Sequence, residues 1–126
     1  MAKNIYLSFD LTRDRFVARD FLKELSEQKY EVGVVGASKR LPILETQRDL
    51  VLAEGIGKAN LMVMLISPLS GASKSQAQEF SAAGQAGVPV IGVYVNGADL
   101  YSNLPGNLSR NQVYGWDWGT LRRRLK

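Results

Sequence analysis

The chain contains no cysteine and no histidine. The absence of cysteine excludes disulfides, zinc fingers, iron–sulfur clusters and thiolate nucleophiles. The absence of histidine excludes a Ser-His-Asp triad, imidazole metal ligands and an imidazole general base. Long apolar runs are also missing. The longest, Leu61 to Ile66, falls far short of the ~20 residues that span a bilayer. Catalysis in such a chain rests on carboxylates, hydroxyls, lysine, arginine, tyrosine or backbone dipoles.

What is present is an ordinary globular balance. The 126 residues are 45% apolar and 22% charged, enough for one domain over 1–126 with a core of its own. The net charge of +4 equals the basic residues of the tail, Arg122, Arg123, Arg124 and Lys126. The remainder is neutral, so the basicity reads as a solvated helix end matched to the helix dipole, not as a nucleic-acid groove. Met1-Ala2-Lys3-Asn4 leads directly into an apolar strand, without a separate apolar region or cleavage site. The expectation is a cytoplasmic protein that binds neither membrane nor nucleic acid.

Short apolar runs alternate with helical spacing. Strands are expected at Asn4–Phe9, Tyr30–Val35, Asn60–Ser67, Val88–Val95 and Gln112–Tyr114. Helices are expected at Asp14–Gln28, Thr46–Lys58, Ser73 to about Gln85, and Asp117–Leu125. Thr12 or Asp14 caps the first helix. Ser73 with Gln76, and Ser75 with Gln78, have capping-box spacing at the third. Gly36–Pro42 is a polar loop, and Asn96–Asn111 a long one. The run Leu-Met-Val-Met-Leu-Ile is apolar at every position, as in a strand buried on both faces.

This alternation predicts an α/β three-layer sandwich of flavodoxin-like type, with a five-stranded parallel sheet of order 2-1-3-4-5. The ligand crevice then lies where the order reverses, beyond strands one and three. Ser8–Arg13, Gly36–Pro42 and Ser67–Ser75 border it. Several chemistries of this fold are excluded. The loop Phe9-Asp10-Leu11-Thr12-Arg13 lacks the glycines of a flavin phosphate loop. Gly-x-Gly-x-x-Gly and P-loop motifs are absent, and Ile66-Ser67-Pro68 offers no phosphoacceptor aspartate.

Asn4-Ile5-Tyr6-Leu7-Ser8-Phe9-Asp10 resembles the first strand of TIR (Toll/interleukin-1 receptor) domains. Ala59 to Ser67, followed by Ser73 to Phe80, is similar to their third strand and third helix. Gly87 to Val93 is similar to their return strand. Val113-Tyr114-Gly115-Trp116-Asp117-Trp118 resembles the bacterial and archaeal branch, which includes NAD-processing subunits of anti-phage systems. The resemblance covers nearly the whole chain. It implies cleavage of the nicotinamide–ribose bond of NAD by hydrolysis or cyclisation. NAD would be substrate, with no further cofactor and no metal. It also implies self-assembly or a partner TIR or effector protein. In the family motif Ser-x-Trp-x-x-x-Glu, the matching residues are Ser73 and the catalytic Glu79, with Ser75 in place of tryptophan. The implied nucleotide site is drawn from Ser8, Phe9, Asp10, Arg13, Ser38 and Lys39.

The chemistry is coherent on its own. Nicotinamide leaves neutral, so a carboxylate near the developing ribosyl cation, or holding the ribose hydroxyls, is enough. Arg13, Lys39, Arg40 and the turn amides of Gly36-Ala37-Ser38 would meet phosphates, and Phe9 would stack on a ring. Each residue also has a plainer reading. Ala77, Phe80 and Gly84 define the expected buried stripe of the third helix, with Glu79 pointing away as a solvated glutamate. Asp10 binds ribose or caps its loop. Phe9 is core, Arg13 pairs with Asp10 or Asp14, Lys39 and Arg40 are solvated, and Ser73 is a cap. Trp116 and Trp118 pack the last helix. Ala82, Ala83 and Ala86 form a small-residue surface patch, either an interface or tolerant surface. Two rival functions follow: a non-catalytic TIR-like interaction module, and a nucleoside deoxyribosyltransferase-like enzyme.

Overall fold

The computed structural model describes residues 3–28, 32–38 and 52–125. The sheet comprises β1 (Lys3–Ser8), β2 (Val32–Ala37), β3 (Leu61–Ile66), β4 (Val90–Tyr94) and β5 (Val113–Tyr114). All neighbouring pairs are parallel, in the order β2-β1-β3-β4-β5. The expected flavodoxin-like α/β topology is therefore present. The helices are α1 (Arg15–Glu27), α2 (described over 52–56), α3 (Lys74–Ala86) and α4 (Trp118–Leu125). No described helix is long and apolar enough to cross a membrane.

Strand side chains alternate between two faces, and the core divides accordingly. Ile5, Leu7, Val63, Leu65 and Val93 pack with Phe21 and Leu25 of α1 and Leu121 and Leu125 of α4. Tyr6, Met62, Met64 and Ile66 pack with Leu52 and Ile56 of α2 and Ala82 and Ala83 of α3. All six residues of β3 are buried, because helices cover both faces. Phe21, fully buried, meets the rings of Trp116 and Trp118 at 5.7 and 5.1 Å between centroids, so both tryptophans do pack the last helix. Trp118 Nε1 donates to Glu24 at 2.8 Å.

Several boundaries differ from the expectation. β2 continues to Ala37 because the register shifts between Ile5 and Tyr6, which carries Gly36 into the ladder opposite Tyr6. A side chain at Gly36 would meet the Tyr6 ring at 2.9 Å, so the close approach requires glycine. β4 begins two residues later than Val88, since Gly87 ends α3 in the left-handed conformation (φ 71°) and the chain must still reverse direction. Thr46, Leu50 and Val51 lie outside the described residues, as do Tyr30, Lys39 and Arg40.

The helix caps follow the sequence in part. Ser73 Oγ accepts from Gln76 N at 3.3 Å, but the Gln76 side chain does not complete the box. Its Nε2 donates instead to Leu65 O at 2.9 Å. Ser75 lies inside α3 and is not its cap. Asp14 is the N-cap residue of α1 but makes no side-chain cap bond; its Oδ1 accepts from Asn96 Nδ2 at 3.0 Å, and its buried Oδ2 has no hydrogen-bond partner among the described residues. At α4, Asp117 accepts from the Thr120 hydroxyl and the Gly119 amide, which hold its carboxyl below the ordinary range, the hydroxyl most strongly.

Phe21 is the residue most exposed to cavity formation, being large, fully buried and clamped between two tryptophans and the sheet. Phe21→Ala is expected to lower unfolding free energy by about 3–5 kcal/mol, measured as a shift in the urea midpoint at unchanged slope.

Candidate functional site

The site begins with the pleat of β1. Tyr6 and Ser8 are two residues apart and therefore share the face that looks toward α3. From α3, Glu79 points back at them and is 3% exposed. Ser8 Oγ donates to Glu79 Oε1 at 2.9 Å, and the Tyr6 hydroxyl donates to Oε2 at 3.0 Å. Ser38, just beyond β2, places its Oγ 2.8 Å from Oε1 and 2.7 Å from Oε2, so its single proton is shared between both oxygens. Ser38 Oγ also accepts from Phe9 N at 2.9 Å, and Ser38 N donates to Leu7 O at 2.8 Å. One carboxylate thus ties together β1, the end of β2 and α3.

This corrects the helical stripe expected from sequence. The buried face of α3 is Gln76, Glu79, Ala82 and Ala83. Gly84 is exposed, and Ala77 and Phe80 are only partly covered. Glu79 faces the sheet and is not a solvated glutamate, because three hydroxyl donors meet it there. The supposed alanine patch is not a surface either, since Ala82 and Ala83 lie in the core and only Ala86 is exposed.

The environment acts on the donors. Burial, then the Glu79 charge and its hydrogen bond, push the Tyr6 phenol far above its ordinary pKa. Tyr6 therefore remains a protonated donor at any physiological pH.

A cleft of about 1020 Å³ opens beside this network. Phe9 to Thr12, Ser38 and Ala72 to Ser75 line it, together with Arg15. These are the segments that follow β1, β2 and β3, so the cleft lies where the strand order reverses. Ser38 belongs both to its lining and to the Glu79 network; Glu79 is not among its described lining residues. Ser8 likewise reaches Glu79 from beneath.

The other expected residues separate. Phe9 lines the cleft with a mostly buried ring that also belongs to the core. Asp10 lines the cleft too, but its Oδ1 accepts from the Thr12 and Arg13 amides at 2.9 and 3.1 Å, so it does cap its own loop. Arg13 lies 3.9 Å from Asp10 Oδ2 and faces a neighbouring cavity, not the cleft. Lys39 is outside the described residues. Among the described residues, no group of three or more His, Cys, Asp or Glu side chains is placed to hold a metal ion.

Tyr6 was not among the expected site residues, although it holds Glu79. The signal was there, in two hydroxyls at strand spacing on one face of β1. Gln76, expected only as a capping partner, is fully buried at the base of α3, and its Oε1 has no hydrogen-bond partner among the described residues.

No known protein family matches this sequence, and no curated protein is significantly similar to it.

The raised Tyr6 pKa carries a stability consequence with a definite sign. The unfolded phenol titrates near 10 and the folded one well above it, so the contribution is complete below about pH 10 and lost as pH rises further. The stability advantage of wild type over Tyr6→Phe is expected to shrink above pH ~10 by up to about 1.4 kcal/mol per pH unit, read from denaturation at several alkaline pH values. A constant difference would mean that Tyr6 ionises as freely folded as unfolded.

Proposed function

We propose that this protein is a TIR-like enzyme that cleaves the nicotinamide–ribose bond of NAD, with Glu79 as its central carboxylate. The observation that carries the reading is a glutamate held by three hydroxyls and separated by one of them, Ser38, from a cleft at the strand-order reversal. The cleft volume suits a dinucleotide.

The chemistry needs one exchange at the cleft floor. Ser38 Oγ turns away, and a ribose hydroxyl replaces it as donor to Glu79. The C1′–nitrogen bond then breaks, and its electron pair leaves with neutral nicotinamide. The cationic ribosyl fragment is stabilised by the adjacent carboxylate. Water adds to C1′ and loses a proton to yield ADP-ribose, or an internal nucleophile adds to yield a cyclic product. Tyr6 and Ser8 hold the carboxylate in place throughout. No metal, histidine or additional cofactor enters these steps. The same reading makes the protein a cytoplasmic source of a nucleotide signal in bacterial anti-phage defence, working by self-assembly or with a partner TIR or effector protein.

One observation favours a second reading. Glu79 is almost wholly buried, as a structural carboxylate in a non-catalytic interaction module would be. A deoxyribosyltransferase-like role, in which a Glu79 oxygen would itself attack C1′, has no specific observation in its favour.

NAD turnover at high protein concentration, with products resolved by mass, separates these readings. Wild type is expected to release nicotinamide, and Glu79→Gln to release it at least ~100-fold more slowly. Thermal melting of both proteins controls for folding, since a lost carboxylate among three hydroxyls costs about 1–3 kcal/mol. Equal turnover in the two, or none from assembled wild type, would leave the interaction module as the better account. Base exchange on deoxynucleosides without NAD cleavage would support the transferase.

A further inference from the structure

A second cavity, of about 500 Å³, lies at the start of α1 and is lined by Thr12, Arg13, Arg15, Phe16 and Arg19. Its composition departs from what a helix of this kind favours. Arg15 opens α1, whose first turn contains no acidic residue, so a cation follows directly on the N-cap Asp14 at the positive end of the helix dipole. Arg15 and Arg19 are one turn apart on the same face, where like charges repel. Among the described residues the only ion pair is Arg13 with Asp10, at 3.9 Å. The nearby acids do not pair with Arg15 or Arg19. Asp10 Oδ1 accepts two loop amides, and Asp14 is buried, its Oδ1 accepting from Asn96 and its Oδ2 without a hydrogen-bond partner among the described residues. Phe16 is 74% exposed, with the Arg19 guanidinium 5.4 Å from its ring centroid. Two arginines without an acidic partner among the described residues, Arg15 and Arg19, and an exposed phenyl ring therefore share one depression with the paired Arg13.

We propose that this cavity is a binding site for a free nucleotide, its phosphates held by Arg13, Arg15 and Arg19 and its base stacked on Phe16. Guanidinium groups suit phosphate through paired N–H donors, and a flat phenyl face accepts any base. Arg19 and Phe16 do not line the larger cleft, so the site is distinct from the one that would process NAD, although Arg15 borders both. Its occupancy does not depend on that reaction.

Calorimetric titration of the full chain with ADP, inorganic pyrophosphate and adenosine, at low salt, tests the site. Phe16 and Arg19 are exposed, so their substitution leaves the fold intact. ADP is expected to bind, and adenosine not to bind measurably. Arg19→Ala is expected to weaken ADP and pyrophosphate alike by roughly tenfold. Phe16→Ala is expected to weaken ADP and leave pyrophosphate unchanged. Absence of saturable ADP binding would overturn the proposal. So would ADP binding indifferent to both substitutions, which would put the ligand in the larger cleft alone. A single-stranded oligonucleotide that displaces ADP at far lower concentration would overturn it as well, and make the patch a nucleic-acid surface.

Discussion

Everything in this molecule follows from the burial of β3 on both faces. Six consecutive apolar residues cannot be left against water on either side, so helices must cover the sheet twice. That requirement divides each neighbouring strand between two cores. In β1 it sends Ile5 and Leu7 to α1 and α4, and Tyr6 and Ser8 to α3. Two of the hydroxyls that hold Glu79, those of Tyr6 and Ser8, are therefore placed by the same alternation that builds the core. The third, Ser38, comes from the segment that follows β2.

The fold was legible because its signals are local. An unbroken apolar run, valine-rich strands and helical spacing each lie within a dozen residues. The crevice was legible for the same reason, since strand order alone determines where it opens. The face of α3 was not. Ala77, Phe80 and Gly84 are the more apolar choice, and only partners from far along the chain reverse it. Tyr6, Ser8 and Ser38 lie 73, 71 and 41 residues from Glu79. A carboxylate becomes a buried residue when donors arrive from elsewhere in the sequence, and helical periodicity carries no information about them. Asp14 illustrates the same limit, having the position of a cap and a long-range partner in Asn96 instead.

Departures from local preference concentrate near the cleft. Gln76 and Glu79 are polar residues on a buried helix face, and Arg15 stands at the wrong end of a helix dipole. Elsewhere the rules hold. Gly87 closes α3, and Arg122, Arg123 and Arg124 lie in the last turn of α4, where the dipole favours them. Two kinds of departure are distinguishable here. Glu79 has its partners within the protein. Arg15 and Arg19 face solvent.

The parallel ladder also dictates an order of events during synthesis. β1 emerges first but pairs with β2 on one side and β3 on the other, so its second neighbour is complete only when Ile66 has been made. Until then Ile5 and Leu7 have no finished core, and α4, which closes one face, follows every strand of the sheet. Lys3 Nζ donating to Arg124 O, at 2.9 Å, joins the earliest described strand to the latest helix. A nascent chain of this design keeps an apolar strand unsheltered until β3 has followed it, a topological burden that favours slow, late closure over stepwise assembly.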